Sequence, residues 1–380
     1  NIIGTNGNDT INGSEDANTL DGSGGRDSTD YSYLNGGTTG VTITRDNNSA
    51  TTFNVTEAIG VVDQLINFEI LQLTSNADFA NLSGATAALS INAGAGDDTI
   101  VTGEGCDTVI GGLGNNSLNG GGQTAEIGGG PAADLLSYAF INSTNSATGI
   151  TLTLNGSDTA STSGAQNDTI AGFENLIGSA LSDSLGGDSM ANSIAGGSGR
   201  DTISGGLGND TIIGGGGADS LFGGAGSDLL RLDWSSINLS KLDAGSGTDT
   251  VSFANSTNDI TLSGSSFSNL LSNAEYIDFS GTSGTVSLSL GGDDVQKLLT
   301  GSSSSSSYAG LLYVRFDTSG DSLSLLNNGS YSYWNSSDVN ATAGKFNDGT
   351  NFSISGSTQQ YVYVFDTNHT TLLATLYLHT

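Results

Sequence analysis

The chain is short of most residues that build catalytic or cross-linked proteins. Its 380 residues include one cysteine, one proline and two histidines, with eight lysines and arginines against 39 acidic residues. A single cysteine, Cys106, excludes an intrachain disulfide framework. It is left as a solvent-facing or tucked thiol, or as one half of an intermolecular disulfide. With so little proline, Gly, Asn and Asp must make the turns. Both histidines, His369 and His379, lie near the end of the sequence. There is no HExxH or GxSxG pattern, Cys106 has no histidine in its own segment, and His369 reads as an exposed turn residue. The chain therefore reads as a non-enzyme. A formal charge of −31 makes nucleic acid and anionic membrane surfaces poor partners. No apolar run comes near the roughly 18 residues of a membrane span. The sequence opens in mid-repeat with no signal peptide, and is expected to be the C-terminal part of a longer protein.

Glycine is plentiful, at 58 residues, and it is periodic. From Gly196 to Arg231 the chain reads GGSGRDTIS, GGLGNDTII, GGGGADSLF, GGAGSDLLR. Four matches to GGxGxDxUx at a fixed spacing, with U a large apolar residue, do not arise in a flexible linker. The pattern resembles the calcium-binding RTX repeat of bacterial proteins exported by type I secretion. The resemblance implies Ca2+ as the organising partner and a flattened parallel β-roll, two nonapeptides per turn, in which loops 18 residues apart stack on one edge. Glycines at positions 1, 2 and 4 admit left-handed and tightly turned backbone, the aspartate at position 6 supplies a carboxylate, and positions 7 to 9 make a strand. Calcium, a hard ion, suits such carbonyl and carboxylate oxygens.

The register extends beyond this run. A main block has units at 178, 187, 196, 205, 214 and 223, with Asp183, Asn192, Asp201, Asp210, Asp219 and Asp228 at position 6. A degenerate block has units at 93, 102, 111, 120 and 129, with Asp98, Asp107, Asn116, Ala125 and Asp134. A short block has units at 4, 13 and 22, with Asp9, Asn18 and Asp27, and one further unit carries Asp249. These units cover about a third of the chain.

By the same resemblance, each ion takes carbonyls from positions 2 and 4 and the carboxylate of one loop, with carbonyls from positions 1 and 3 and the carboxylate of the loop 18 residues on. The expected ligand sets are Gly197, Gly199, Asp201, Gly214, Gly216 and Asp219; then Gly206, Gly208, Asp210, Gly223, Ala225 and Asp228; then Ser179, Leu181, Asp183, Gly196, Ser198 and Asp201. Asp9 and Asp27 are expected to share one ion. Asp98–Asn116 and Asn116–Asp134 should bind more weakly, and the Asp107–Ala125 edge should be empty or replaced by side-chain contacts. Asp210 should serve two ions, and Asp228, at the end of its block, only one. So acidic a chain, with one apolar residue per nonapeptide, should stay unfolded in its rolls without metal.

Three similar cassettes separate the rolls. Each has an aromatic strand (Tyr31–Tyr33, Ser137–Phe140, Val251–Phe253) and an alternating strand (GVTITR at 40–45, GITLTL at 149–154, DITLSG at 259–264). Each then has an acidic signature: Asn67-Phe68-Glu69, Gly172-Phe173-Glu174 or Asn273-Ala274-Glu275. These glutamates could be calcium ligands, caps on the roll, or plain solvent-facing strand residues. Beyond residue 300 aromatic strands replace the repeats, at 311–316, 321–326, 352–355, 361–366 and 372–378, with Trp334 between them. Residues 293–299 are expected to form a short helix and 302–307 a flexible serine loop. This end is similar to the C-terminal module of RTX adhesins and surface-layer proteins, which implies a type I secretion signal.

The expected fold is all-β: a short roll (1–30), a cassette (31–92), a degenerate roll (93–137), a cassette (138–177), the main roll (178–231), a cassette with one RTX unit (232–300) and a small antiparallel C-terminal β-sandwich (301–380). The rolls should unfold on chelation before that sandwich. The resemblance implies an extracellular or bacterial cell-surface location. It leaves three functions open: a self-associating surface-layer or matrix component, the stalk and secretion region of a large adhesin, or the tail of an upstream enzyme or toxin.

Overall fold

Two nonapeptides per turn, each with one inward apolar residue, should give two parallel sheets sharing a thin core. A computed structural model has that arrangement. It describes residues 1–14, 16–36, 38–57, 60–121, 133–154, 160–161, 163–164, 167–233, 241–254, 260–263, 271–281 and 286–291, and, beyond these, strands 310–315, 322–326, 331–335, 352–355, 360–366 and 372–379. Among the described residues there is no α-helix, only a short 3-10 turn at Ser32–Gly36. The expected helix at 293–299, the serine run and Ala125 lie outside the described residues. The chain divides into two compact units, Asn1–Gly197 and Ser198–Thr380.

In the first unit, one sheet runs in parallel from Phe79–Asn81 through Thr99–Val101 and Ser117–Asn119 to Thr169–Ala171. The other runs from Ser28–Asp30 through Ile70–Gln72, Ser90–Asn92, Thr108–Ile110 and Leu135–Ser137 to Asn175–Ile177. The expected 18-residue register holds between Thr99 and Ser117, and it extends back to Ser90, outside the expected block, which faces Thr108. The central residue of each strand points inward, and Ile91, Ile100, Val109, Leu118, Leu136 and Ile170 are buried. Burial of each such side chain contributes about 1.5–3 kcal/mol.

The degenerate roll departs from the expected register. Leu135–Ser137 pairs with Thr108–Ile110, a step of 27 residues, and Ser117–Asn119 pairs with Thr169–Ala171 in the second cassette. The expected Asn116–Asp134 neighbours therefore do not meet. Asp107 is the direct neighbour of Asp134, donating its N–H to that carboxylate.

In the second unit, Thr202–Leu207, Ser220–Ala225 and Lys241–Asp243 pair in parallel, as do Thr211–Gly216, Leu229–Asp233, Thr250–Ala254 and Tyr276–Gly281. Several of these strands are six residues long rather than three, because they continue through positions 1 to 3 of the next unit. The alternating segments at the C-terminal end are strands, but not a separate antiparallel layer. Gly310–Arg315 pairs in parallel with Tyr276–Gly281 and with Leu372–His379. Ser322–Leu326 pairs in parallel with Val286–Gly291. Antiparallel pairing enters with Phe352–Ser355, Gln360–Asp366 and Tyr331–Asn335.

The aromatic segments of the first two cassettes are turns, not strands. Tyr31 and Tyr138 each follow a strand and are fully buried, and only Phe253 lies within one.

Candidate metal centre

The aspartates at position 6 form ladders. Each donates its backbone N–H to the carboxylate of the next rung: Asp9 to Asp27, Asp107 to Asp134, Asp201 to Asp219, Asp210 to Asp228 and Asp228 to Asp249, at 2.7–3.0 Å. Asp98 donates likewise to the Asn116 side-chain oxygen at 2.9 Å. In each case Oδ1 is the acceptor. The other oxygen, Oδ2, of Asp27, Asp98, Asp228 and Asp249 is buried and has no hydrogen-bond partner. A carboxylate oxygen held so is costly unless something positive meets it. Burial pushes the Asp98 carboxyl up to about 8, and those of Asp134 and Asp249 up to about 7. Burial also raises Asp107, Asp219 and Asp228.

The glycines arch the loops toward these oxygens. Positions 2 and 4 are left-handed in loops such as those of Gly206 and Gly208 (φ +107° and +106°) and Gly224 and Gly226 (+112° and +143°), but not in the Asp107 loop, where they are Gly103 and Gly105. Position 1 is not left-handed, contrary to expectation. It is glycine because of close approach: a Cβ on Gly205 would lie 2.5 Å from the Gly223 carbonyl oxygen and against Asp210 Oδ2. On Gly223 it would lie 2.5 Å from Asp228 Oδ2. A carboxylate and a carbonyl from successive turns thus converge over each such glycine, leaving a cradle that a methyl group would fill.

Among the described residues no group of three or more His, Cys, Asp or Glu side chains converges, so a cation here must draw on main-chain oxygens. That suits a hard ion such as Ca2+ and fits poorly with zinc, which takes N and S ligands.

The set Gly206, Gly208, Asp210, Gly223, Ala225 and Asp228 is brought together on one edge of the second unit. Its Ala225 carbonyl also accepts the Gly208 N–H at 2.9 Å. In the set around Asp201 and Asp219, Gly199 N–H donates to Gly216 O at 2.7 Å. Gly214 has the same close approach to Asp219 Oδ2, and Gly197 belongs to the first unit. The third set divides between the units. In the first, the Gly196 carbonyl and Asp183 Oδ2 face the same space over Gly178; Ser198 and Asp201 belong to the second.

Asp228 does not end its edge, as was expected, because Asp249 stacks on it 21 residues further on. Asp228→Ala and Asp210→Ala should therefore raise the calcium midpoint of folding by similar factors in titrations followed by circular dichroism.

The recurrent glutamates end the ladders. Glu69 accepts the Asp27 N–H, Glu174 that of Asp134 and Glu275 that of Asp249, at 2.8–2.9 Å. Each takes the place of a further aspartate, and past Glu69 and Glu174 the sheet itself continues, to the strands that begin at Ser90 and Ser193. Two residues before each stands a left-handed residue: Asn67 (φ +56°), Gly172 (+67°) and Asn273 (+56°). This explains the Asn/Gly-x-Glu signature, since Asn and Gly tolerate that backbone best. Replacing Glu69 or Glu174 by alanine leaves a ladder N–H without its acceptor. The expected cost is about 1–3 kcal/mol in urea unfolding at saturating calcium, most of it restored by glutamine.

Three rungs were not foreseen. Asp63 accepts Asn18 N–H, Asp78 accepts Val41 N–H, and Asp168 accepts Asn116 N–H. Asp63 and Asp168 also take a buried tyrosine hydroxyl on Oδ2, from Tyr31 at 3.0 Å and Tyr138 at 2.9 Å. In these cassette rungs an O–H donor occupies the oxygen that Asp27 and Asp228 leave bare.

A family model described as RTX calcium-binding nonapeptide repeat (4 copies) matches residues 1–29, 90–124 and 187–230. No curated protein matches the chain. The chain carries RTX repeats, which bind Ca2+, on a largely parallel β scaffold. No helix among the described residues is long and apolar enough to cross a membrane.

Proposed function

We propose that this is a calcium-dependent structural protein of a bacterial cell exterior, a surface-layer or matrix component whose rolls fold and then assemble on Ca2+. The observation that carries the reading is the alternation of bare carboxylate oxygens and main-chain carbonyls from successive turns. In Asp27, Asp98, Asp228 and Asp249, Oδ2 is one donor of such a set, and an ion bound there would join one turn to the next. Bound calcium would thus be a member of the framework rather than a cofactor of chemistry.

Low lysine and arginine content, duplicated cassettes and lack of a catalytic constellation support a coat rather than an enzyme. Export through a type I secretion machinery follows from the likeness of the C-terminal end to that of RTX surface proteins. The experiment is electron microscopy of the purified chain in calcium and in EGTA. Ordered sheets or fibres in calcium alone are expected. A monodisperse monomer in calcium would replace this reading by that of an adhesin stalk.

A further inference from the structure

The loops of the rolls differ in the backbone at position 2 of the nonapeptide: where it is not left-handed, as at Gly103, its N–H closes on the aspartate, here Asp107 Oδ2 at 3.1 Å. In the loops of Asp98, Asp228 and Asp249 position 2 is a left-handed glycine (Gly94, Gly224, Gly245), and in that of Asp27 a left-handed serine, Ser23. All four aspartates keep a bare, buried Oδ2.

In the loops of Asp9, Asp78 and Asp183, position 2 is Thr5, Thr74 or Ser179, and neither position 2 nor position 4 is left-handed. These three share one set of bonds. The position-2 N–H donates to Oδ2 of the aspartate, at 2.6 Å in Asp9, 2.9 Å in Asp78 and 2.6 Å in Asp183. The position-2 hydroxyl donates to the same carboxylate at 2.7–2.9 Å. That hydroxyl in turn accepts the position-4 N–H from Gly7, Asn76 or Leu181 at 3.0–3.1 Å.

We propose that a hydroxyl at position 2, on backbone that is not left-handed, withdraws a loop from the calcium set, so that Thr5, Thr74 and Ser179 hold Asp9, Asp78 and Asp183 in place of an ion. The physical reason is the direction of the donors. Calcium binds oxygen lone pairs, and here the position-2 N–H already points at Oδ2, the oxygen left bare in the left-handed loops, while the hydroxyl occupies the same carboxylate. Charge-assisted bonds of this kind stabilise a carboxylate without metal. Two of the three loops, around Thr74 and Ser179, also fall outside the stretches that match the calcium-binding repeat. Each of the three stands at the entry of a roll, so every roll begins on a loop whose fold does not wait for calcium.

The inference rests on the reading that the glycine loops take Ca2+, and the test separates the two. Bound calcium is counted on the folded full chain by equilibrium dialysis, for wild type and for Thr5→Gly. This substitution turns GTNGND into GGNGND, the complete glycine pattern. One additional ion per chain is expected. Equal counts overturn the inference, while a wild type that takes up no calcium overturns the calcium reading and this one with it. A measurement without substitution covers failure of the variant to fold. In EGTA the amides of Asn76 and Leu181 should stay protected from hydrogen exchange, while that of Gly208 loses protection. Exchange of Asn76 and Leu181 as fast as that of Gly208 would overturn the inference.

Discussion

Gly226→Ala should abolish folding of the second unit's roll even at saturating calcium. A Cβ at Gly226 would lie 2.5 Å from the carbonyl carbon of Gly208, and closer still to its oxygen, and φ is +143°. Backbone strain and a backbone clash then act together. The neighbour in the clash is a main-chain carbonyl within a hydrogen-bonded ladder, which cannot swing aside as a side chain would. Losses above about 4 kcal/mol arise from such mechanisms. Gly216→Ala is the matched control: its Cβ would meet nothing nearer than Ser198 Oγ at 4.0 Å, and its φ is not left-handed. It should be neutral or stabilise by roughly 0.4–1 kcal/mol through the unfolded chain. Circular dichroism at saturating calcium reads both, and a folded Gly226→Ala roll would mean that the turns do not stack as closely as described.

Without calcium, the pH dependence of the rolls should invert. Asp98, Asp134 and Asp249 have carboxyls raised to about 8, 7 and 7 when folded, against about 4 in the unfolded chain. Burial is the main cause, neighbouring carboxylates add to it, and the ladder N–H opposes it. A group raised on folding favours the folded state while it is protonated. Its contribution is complete below about pH 4 and lost as pH rises through about 7 to 8. In EGTA, β structure should therefore grow as pH falls from about 8 to 5. In calcium the dependence runs the other way, because protons compete with the ion for the same oxygens. Far-UV circular dichroism against pH in the two buffers tests this. Parallel curves would show that these carboxylates are not where calcium acts.

Much of the scaffold was legible from local chemistry. The apolar residue at position 8 named the core residues Ile203, Ile212, Leu221 and Leu230, all buried, because a period-2 strand has one inward side chain in three. The cassette rungs were harder. Asp168 stands in Asn-Asp-Thr-Ile, the tetrapeptide that also holds Asp9 and Asp210, so a signal existed at a spacing that the nonapeptide count does not reach. Asp78 stands in a loop with no glycine at all, where the Thr74 N–H and hydroxyl hold the carboxylate. The 27-residue step from Asp107 to Asp134 was hidden because an unbroken run of nines predicts a uniform step of 18. The parallel pairing of Gly310–Arg315 was hidden too, since alternation marks a strand without fixing its partner.

The ladder also has the character of a polyelectrolyte. Successive rungs such as Asp210, Asp228 and Asp249 are neighbouring parallel strands, so their charges recur about every 4.8 Å along an edge. Two unit charges at that distance in water repel by about 0.9 kcal/mol, more than thermal energy. As the roll forms, a column this dense gathers an atmosphere of monovalent counterions, as a nucleic acid does. Each calcium that binds must release part of that atmosphere. The calcium requirement of the rolls is therefore set jointly by the ligand oxygens and by the ionic strength of the surroundings, and fresh water and brine would present this protein with two different thresholds for folding.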